Sequence, residues 1–186
     1  MTEIILAKYG EIALKGLNKS TFEAVLLKTV RRRLQGLDFE LTKSQSTLYI
    51  KTSDAGQALE RLEKIFGIST LCRAVSAEKD YDAIVRQTVE SFGIQLKHAG
   101  TFKVEAKRAD KTFPLNSPQI CEKLGADLLM QFPNLTVDVK NPQVTVTVEI
   151  RDTHAFIHTQ KIPGARGLPV GTGGHGMLML SGGIDS

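Results

Sequence analysis

Six residues near the end of this 186-residue chain, Ser181, Gly182, Gly183, Ile184, Asp185 and Ser186, follow an apolar run at 177–180. Paired glycines let a backbone turn sharply and approach an anion. The Ser181 and Ser186 hydroxyls and successive backbone N–H groups can then form a nest for phosphate. A helix starting near Asp185 would add its positive end to the same anion. A second chemistry is that of a polyanion contact. Lys103, Lys107, Arg108 and Lys111 crowd the end of one alternating run, where long basic side chains fan out from a strand edge. Lys28, Arg31 and Arg32, spaced by three and four, share one helix face. Arg166 stands beside Lys161 in a glycine-rich stretch and suits either a polyanion or a neighbouring domain. His154 and His158 have the spacing of a helical zinc pair, but the alternation around them argues for a strand. There four residues span about 13 Å, too far for two ligands of one ion. Cys72 and Cys121 are too sparse for a disulfide framework; they read as small buried side chains in a reducing compartment.

The elements that must position these groups fall into two orders. Residues 4–9 read as a strand. Ser20 and Glu23 form a capping-box signature before a helix with Phe22, Leu26, Leu27, Val30 and Leu34 on one face, ending at Gly36. Strands at 39–41 and 48–51 follow. Asp54 then caps a helix with Ala58, Leu59, Leu62, Ile65 and Phe66 inward, and a strand runs over 68–75. This β-α-β-β-α-β order is that of a ferredoxin-like sandwich. Residues 76–160 read instead as α-β-α-β-β-β. They comprise a helix at 81–97, a strand at 101–107, a helix introduced by Ser117 and Pro118, and strands at 135–139, 144–150 and 155–159. Residues 161–176, rich in glycine, read as a linker or surface loop and not as a packed element.

Composition narrows the choices. Hydrophobic residues at 41% and charged residues at 24% are those of a globular chain. Apolar runs of only a few residues give no bilayer-spanning helix, and Lys8 and Glu11 interrupt any signal-peptide core. The net charge of +4 is unevenly spread. Residues 1–36 carry seven Lys/Arg against three Asp/Glu, and residues 101–111 carry four against two. Two basic regions, one in each half, suit a polyanion such as folded RNA. With eight Phe, three Tyr and no Trp, recognition of shape and backbone fits better than stacking of single-stranded bases.

SGGIDS after MLML resembles the pyrophosphate-binding PP-loop of ATP pyrophosphatases. YGEIALKG, FKVEAKRADKTFP, VDVKNP with VEIRD, and GARGLPVGTGG, in that order, resemble the tRNA 4-thiouridine synthetase (tRNA sulfurtransferase) family. The resemblance implies an α+β chain: a ferredoxin-like βαββαβ domain at 1–75, a THUMP RNA-binding domain at 76–165, and a glycine-rich linker at 166–176. The first strand and PP-loop of a truncated α/β ATPase domain would occupy 177–186. It assigns ATP contacts to Met179, Leu180, Ser181, Gly182, Gly183, Ile184, Asp185 and Ser186, with Mg2+ as the accompanying ion. The basic sets, Lys103, Lys107, Arg108, Lys111, Lys28, Arg31, Arg32 and Arg166, become candidates for the tRNA acceptor arm.

For the intact family member the resemblance implies adenylation of the 4-oxygen of uridine 8, then replacement by persulfide sulfur supplied through a cysteine desulfurase. A link to the thiazole of thiamine, a cytoplasmic location and an open question of homodimerisation come with it. Neither Cys72 nor Cys121 matches the family's catalytic cysteine, and the sequence stops within the first turn of the ATP site. The expectation is therefore an RNA-binding portion that is inactive alone. Two other readings compete: a stand-alone tRNA-binding THUMP module, and a ferredoxin-like metabolite-binding domain. Salt-dependent tRNA binding, with and without ATP binding, separates the three.

Overall fold

The computed structural model describes residues 3–178 and Gly182. β1 (Glu3–Tyr9), α1 (Lys19–Arg33), β2 (Phe39–Ser44), β3 (Thr47–Thr52), α2 (Ala55–Leu62) and β4 (Ile68–Ala77) follow in the expected order. Two 3-10 turns, Glu11–Leu14 and Gly16–Asn18, separate β1 from α1. Then come α3 (Tyr81–His98), β5 (Thr101–Arg108), α4 (Ser117–Gln131), β6 (Thr136–Val137), β7 (Val144–Ile150), β8 (Ala155–His158) and β9 (Ile162–Pro163). These strands join one sheet in the order β2-β3-β1-β4-β8-β7-β5-β6, with β9 paired to β4. Among the described residues only the pairings of β5 with β7 and β6 are parallel. Among them, too, no helix is long and apolar enough to cross a membrane.

β4 is the member the two halves share. Its residues up to Ala74 pair with β1, and Val75, Ser76 and Ala77 pair with β8. β8 and β9 form a nearly continuous partner along β4. Between Val75↔Ile157 and Leu71↔Ile162 the partner side advances one residue more than β4, which is a bulge. Leu71, Val75 and Ala77 alternate onto one side of β4. Leu71 joins the core under α1 and α2, and the other two join the core under α3 and α4. Among the described residues the four helices therefore cover the same side of the sheet, and the opposite side carries a small apolar seam of Leu6, Cys72, Ala74 and Phe156 where the halves meet.

Helix boundaries depart from the sequence expectations in instructive ways. α1 starts one residue before Ser20 and has no side-chain cap. Glu23 instead turns towards the β2–β3 hairpin and pairs with Lys43 at 3.0 Å, where a cation is a stronger partner than a backbone N–H. α4 is capped by Asn116, not Ser117: its Oδ1 accepts from Gln119 N and Gln119 Oε1 accepts from Asn116 N, both at 2.9 Å. Asp54 caps α2 as expected, but Phe66 lies past the helix end and is half exposed. The strand expected at 135–139 shrinks to two residues.

The glycine-rich stretch is partly packed. Gly164 N donates to Ser69 O, Arg166 N donates to Ile68 O, and Gly67 N donates to Arg166 O. Leu168 packs against the α1/α2 core, and Pro169 is buried. The chain therefore straps back across the first half. A Cβ at Gly164 would meet Ile68 O at 2.4 Å, so only glycine fits that approach.

Candidate nucleic-acid interface

The β5–β7 register sorts the basic run by face. Phe102, Val104 and Ala106 lie beside Val144, Val146 and Val148 on the helix side. Lys103, Glu105 and Lys107 lie beside Thr145, Thr147 and Glu149 on the open side. Lys8 of β1, Arg151 after β7 and Lys161 at the bulge join that side through their ion pairs. Five cations thus stand around two carboxylates.

Those carboxylates organise the cations. Glu105 takes Lys161 at 2.8 Å and Lys103 at 2.9 Å. Hydrogen bonds from these two lysines hold its carboxyl down at about 2. Glu149 is wholly buried and accepts from Lys8, from Arg151 Nη2 at 2.7 Å and from His158 Nε2 at 3.2 Å. Burial pushes its carboxyl up, but the bonds from His158 and Lys8 and the lysine charge overcome this and hold it well below the usual range. Tyr49 and Phe156 pack with ring centroids 5.1 Å apart beside this cluster. Cys72 beneath it is fully buried, and burial pushes its thiol up; Cys121 is half-buried with the same direction. Neither is an activated thiolate.

The residues expected to contact phosphate separate into engaged and free. Lys103 is tied to Glu105. Arg108 points to the helix side, where Nη1 donates to the carbonyls of Phe113 at 3.1 Å and Leu115 at 3.4 Å. It staples the loop after β5 and does not fan out with its neighbours. Lys107 and Lys111 are exposed, and no ion pair engages either among the described residues. Lys28, Arg31 and Arg32 are exposed along α1 as expected, but on the opposite side of the sheet from Lys107. Arg31 and Arg32 also occupy the last turn of α1, where cations suit the helix dipole. Arg166 projects from the strap at φ +60°, its side chain exposed.

Met179, Leu180, Ser181, Gly183, Ile184, Asp185 and Ser186 lie outside the described residues, and Gly182 is an exposed bend. His158 is engaged by Glu149, whereas His154 lies outside the strand and meets Thr153. Sequence reasoning missed Lys8, Glu149 and Arg151. The usable signal was Glu149 itself, a charge on the face opposite the valines of a strand otherwise free of charge.

A ferredoxin-like half is fused through one strand to a second α/β half, with cations gathered on the open sheet. Residues 4–72 match the ThiI ferredoxin-like domain and residues 78–160 the THUMP domain. A "Probable tRNA sulfurtransferase" of Natranaerobius thermophilus is 43% identical over 196 residues, a match covering 100% of this chain and 48% of that protein. One from Caldanaerobacter subterraneus subsp. tengcongensis is 43% identical over 189 residues, covering 100% and 49%. A crystal structure of a 4-thiouridine synthetase–RNA complex with bound ATP matches 100% of this chain and 48% of that one, with a TM-score of 0.81 and 33% identity. A Pyrococcus horikoshii Ot3 protein gives a TM-score of 0.83 at 31% identity, covering 92% and 58%. The chain carries a ThiI ferredoxin-like domain and a THUMP domain, is similar over its whole length to tRNA sulfurtransferases, and spans about half the length of the curated relatives it matches.

Proposed function

We propose that this chain is the tRNA-gripping portion of an ATP-dependent sulfurtransferase that makes 4-thiouridine at position 8 of tRNA. The observation that carries the reading is the cluster at the centre of the helix-free sheet face, where Lys8, Lys103, Lys107, Arg151 and Lys161 surround Glu105 and Glu149. Lys107 on that face and Lys111 in the loop after β5 are exposed and available to phosphate. The rest of the face is fixed by internal ion pairs and supplies potential and shape, which suits a folded RNA acceptor arm.

In the whole protein, residues 179–186 would begin an ATP cradle, used with Mg2+. ATP supplies the adenylation that makes a uracil oxygen a leaving group. Sulfur would arrive as a persulfide charged by a cysteine desulfurase. A role in thiamine thiazole synthesis, a cytoplasmic site and a homodimeric state belong to the same proposal. The α1 ridge of Lys28, Arg31 and Arg32, being exposed, supports a second contact on the far side, reached by a separate part of a large RNA.

A filter-binding titration with tRNA and with ATP tests this at two salt concentrations. The proposal expects tRNA affinity that falls steeply from about 50 mM to about 200 mM salt. Binding without a salt slope favours the metabolite-binding alternative. tRNA binding without ATP binding favours a THUMP module acting alone.

A further inference from the structure

We propose that Glu149 is a positioning residue for RNA binding: it latches the ferredoxin-like half to the THUMP half so that the open face presents one fixed array of cations. The inference rests on the RNA-binding reading above. Its structural basis is the narrowness of the joint. Among the described residues the halves meet at β4, whose pairing passes from β1 to β8 at Val75, and at the strap after β9, which crosses the first half. The apolar seam on the open side is four buried side chains, and β9 adds two further pairs. So narrow a joint can twist about β4 while little apolar surface is uncovered.

Glu149 opposes that twist from the THUMP side. Its carboxylate is fully buried and joined to Lys8 of β1, a residue 141 positions away, and to Arg151 and His158 of its own half. Arg151 extends the latch, its Nη1 donating to Gln45 Oε1 at 3.3 Å in the β2–β3 turn. Gln45 holds a left-handed backbone, φ +53°, a conformation costly for a side chain other than glycine. A buried carboxylate whose cations come from both sides of a joint is stable in only one relative placement of those sides, because displacement leaves buried charge unpaired. Lys107 neighbours Glu149 in register, so the latch also fixes where Lys107 stands on the interface.

The test uses the full 186-residue chain with tRNA as the probe and carries two readouts. Glu149→Gln keeps the shape and removes the charge. The expected result is tRNA affinity lowered about tenfold or more, with faster amide exchange at Ser76 and Phe156 across the β4–β8 joint. Exchange within each helix-covered core stays unchanged. Gln45→Ala, on an exposed turn, leaves both cores intact and is expected to produce the same pattern at smaller size, about threefold in affinity. Glu149→Asp, which retains the charge, recovers part of the affinity. If wild-type tRNA binding is normal while Glu149→Gln binds within about twofold of it, the positioning role is overturned and the RNA-binding reading stands. Unchanged exchange at the joint in both variants also overturns it. A wild-type chain that fails to bind structured RNA overturns the reading and the latch together.

Discussion

Lys107 and Arg108 are adjacent and oppositely employed. One projects into solvent on the open face, and the other staples two carbonyls on the helix face. Composition alone groups them, and only the strand period separates them. Arg108→Ala is expected to destabilise the fold by about 1–3 kcal/mol, because the Phe113 and Leu115 carbonyls lose their donor. Lys107→Ala is expected to change stability by less than about 0.5 kcal/mol while weakening tRNA binding; paired thermal melts and titrations check both. Glu105 yields a pH prediction. Its folded carboxyl sits at about 2 against an ordinary 4.5, so its contribution is complete above 4.5 and is lost as pH falls through about 2. The side chain is one-third exposed, so salt weakens the effect. The Glu105→Gln melting temperature should therefore fall less than that of the wild type between about pH 5 and about pH 2. Parallel curves would show that the Lys161 and Lys103 pairs contribute nothing.

Elements with a strong period were legible from their residues. β7 spans the expected 144–150, because alternating valines leave one choice of face. The inward face of α1 carries Leu26 and Val30, with Leu34 following at its C-cap, all three fully buried. What escaped depended on partners distant in sequence. β9 is two residues inside a glycine-rich run and exists only because β4 offers an unpaired edge. Gly164→Ala tests that element: the new methyl meets Ile68 O, so the strap must shift. A loss of about 1–3 kcal/mol is expected, with faster exchange at the Gly164 and Arg166 amides. Cap choice also escaped, since Asn116, Ser117 and Pro118 in succession allow two registers. Asn116→Ala is expected to cost about 1 kcal/mol, whereas Ser117→Ala should be nearly silent in the same denaturant titration.

For the whole molecule, the decisive fact is that the four helices among the described residues pack on one side of a sheet running through both halves. The two element orders were readable in sequence; their fusion through β4 was not, because strand pairing between distant segments leaves no local signature. Nor was the separation of the basic sets. Lys28, Arg31 and Arg32 match the Lys107 group in charge, yet they lie on the opposite side. The latch around Glu149 belongs to this scale, since its cations come from both ends of the chain.

The most direct test of RNA binding through the open face is tRNA affinity as a function of salt for the wild type and the double variant Lys107→Ala, Lys111→Ala. The account predicts weaker binding for the variant and a log–log salt slope shallower by about two, one for each phosphate contact removed. An unchanged slope and affinity, with the loss appearing instead in the triple alanine variant of Lys28, Arg31 and Arg32, would contradict it and move the interface to the helix side.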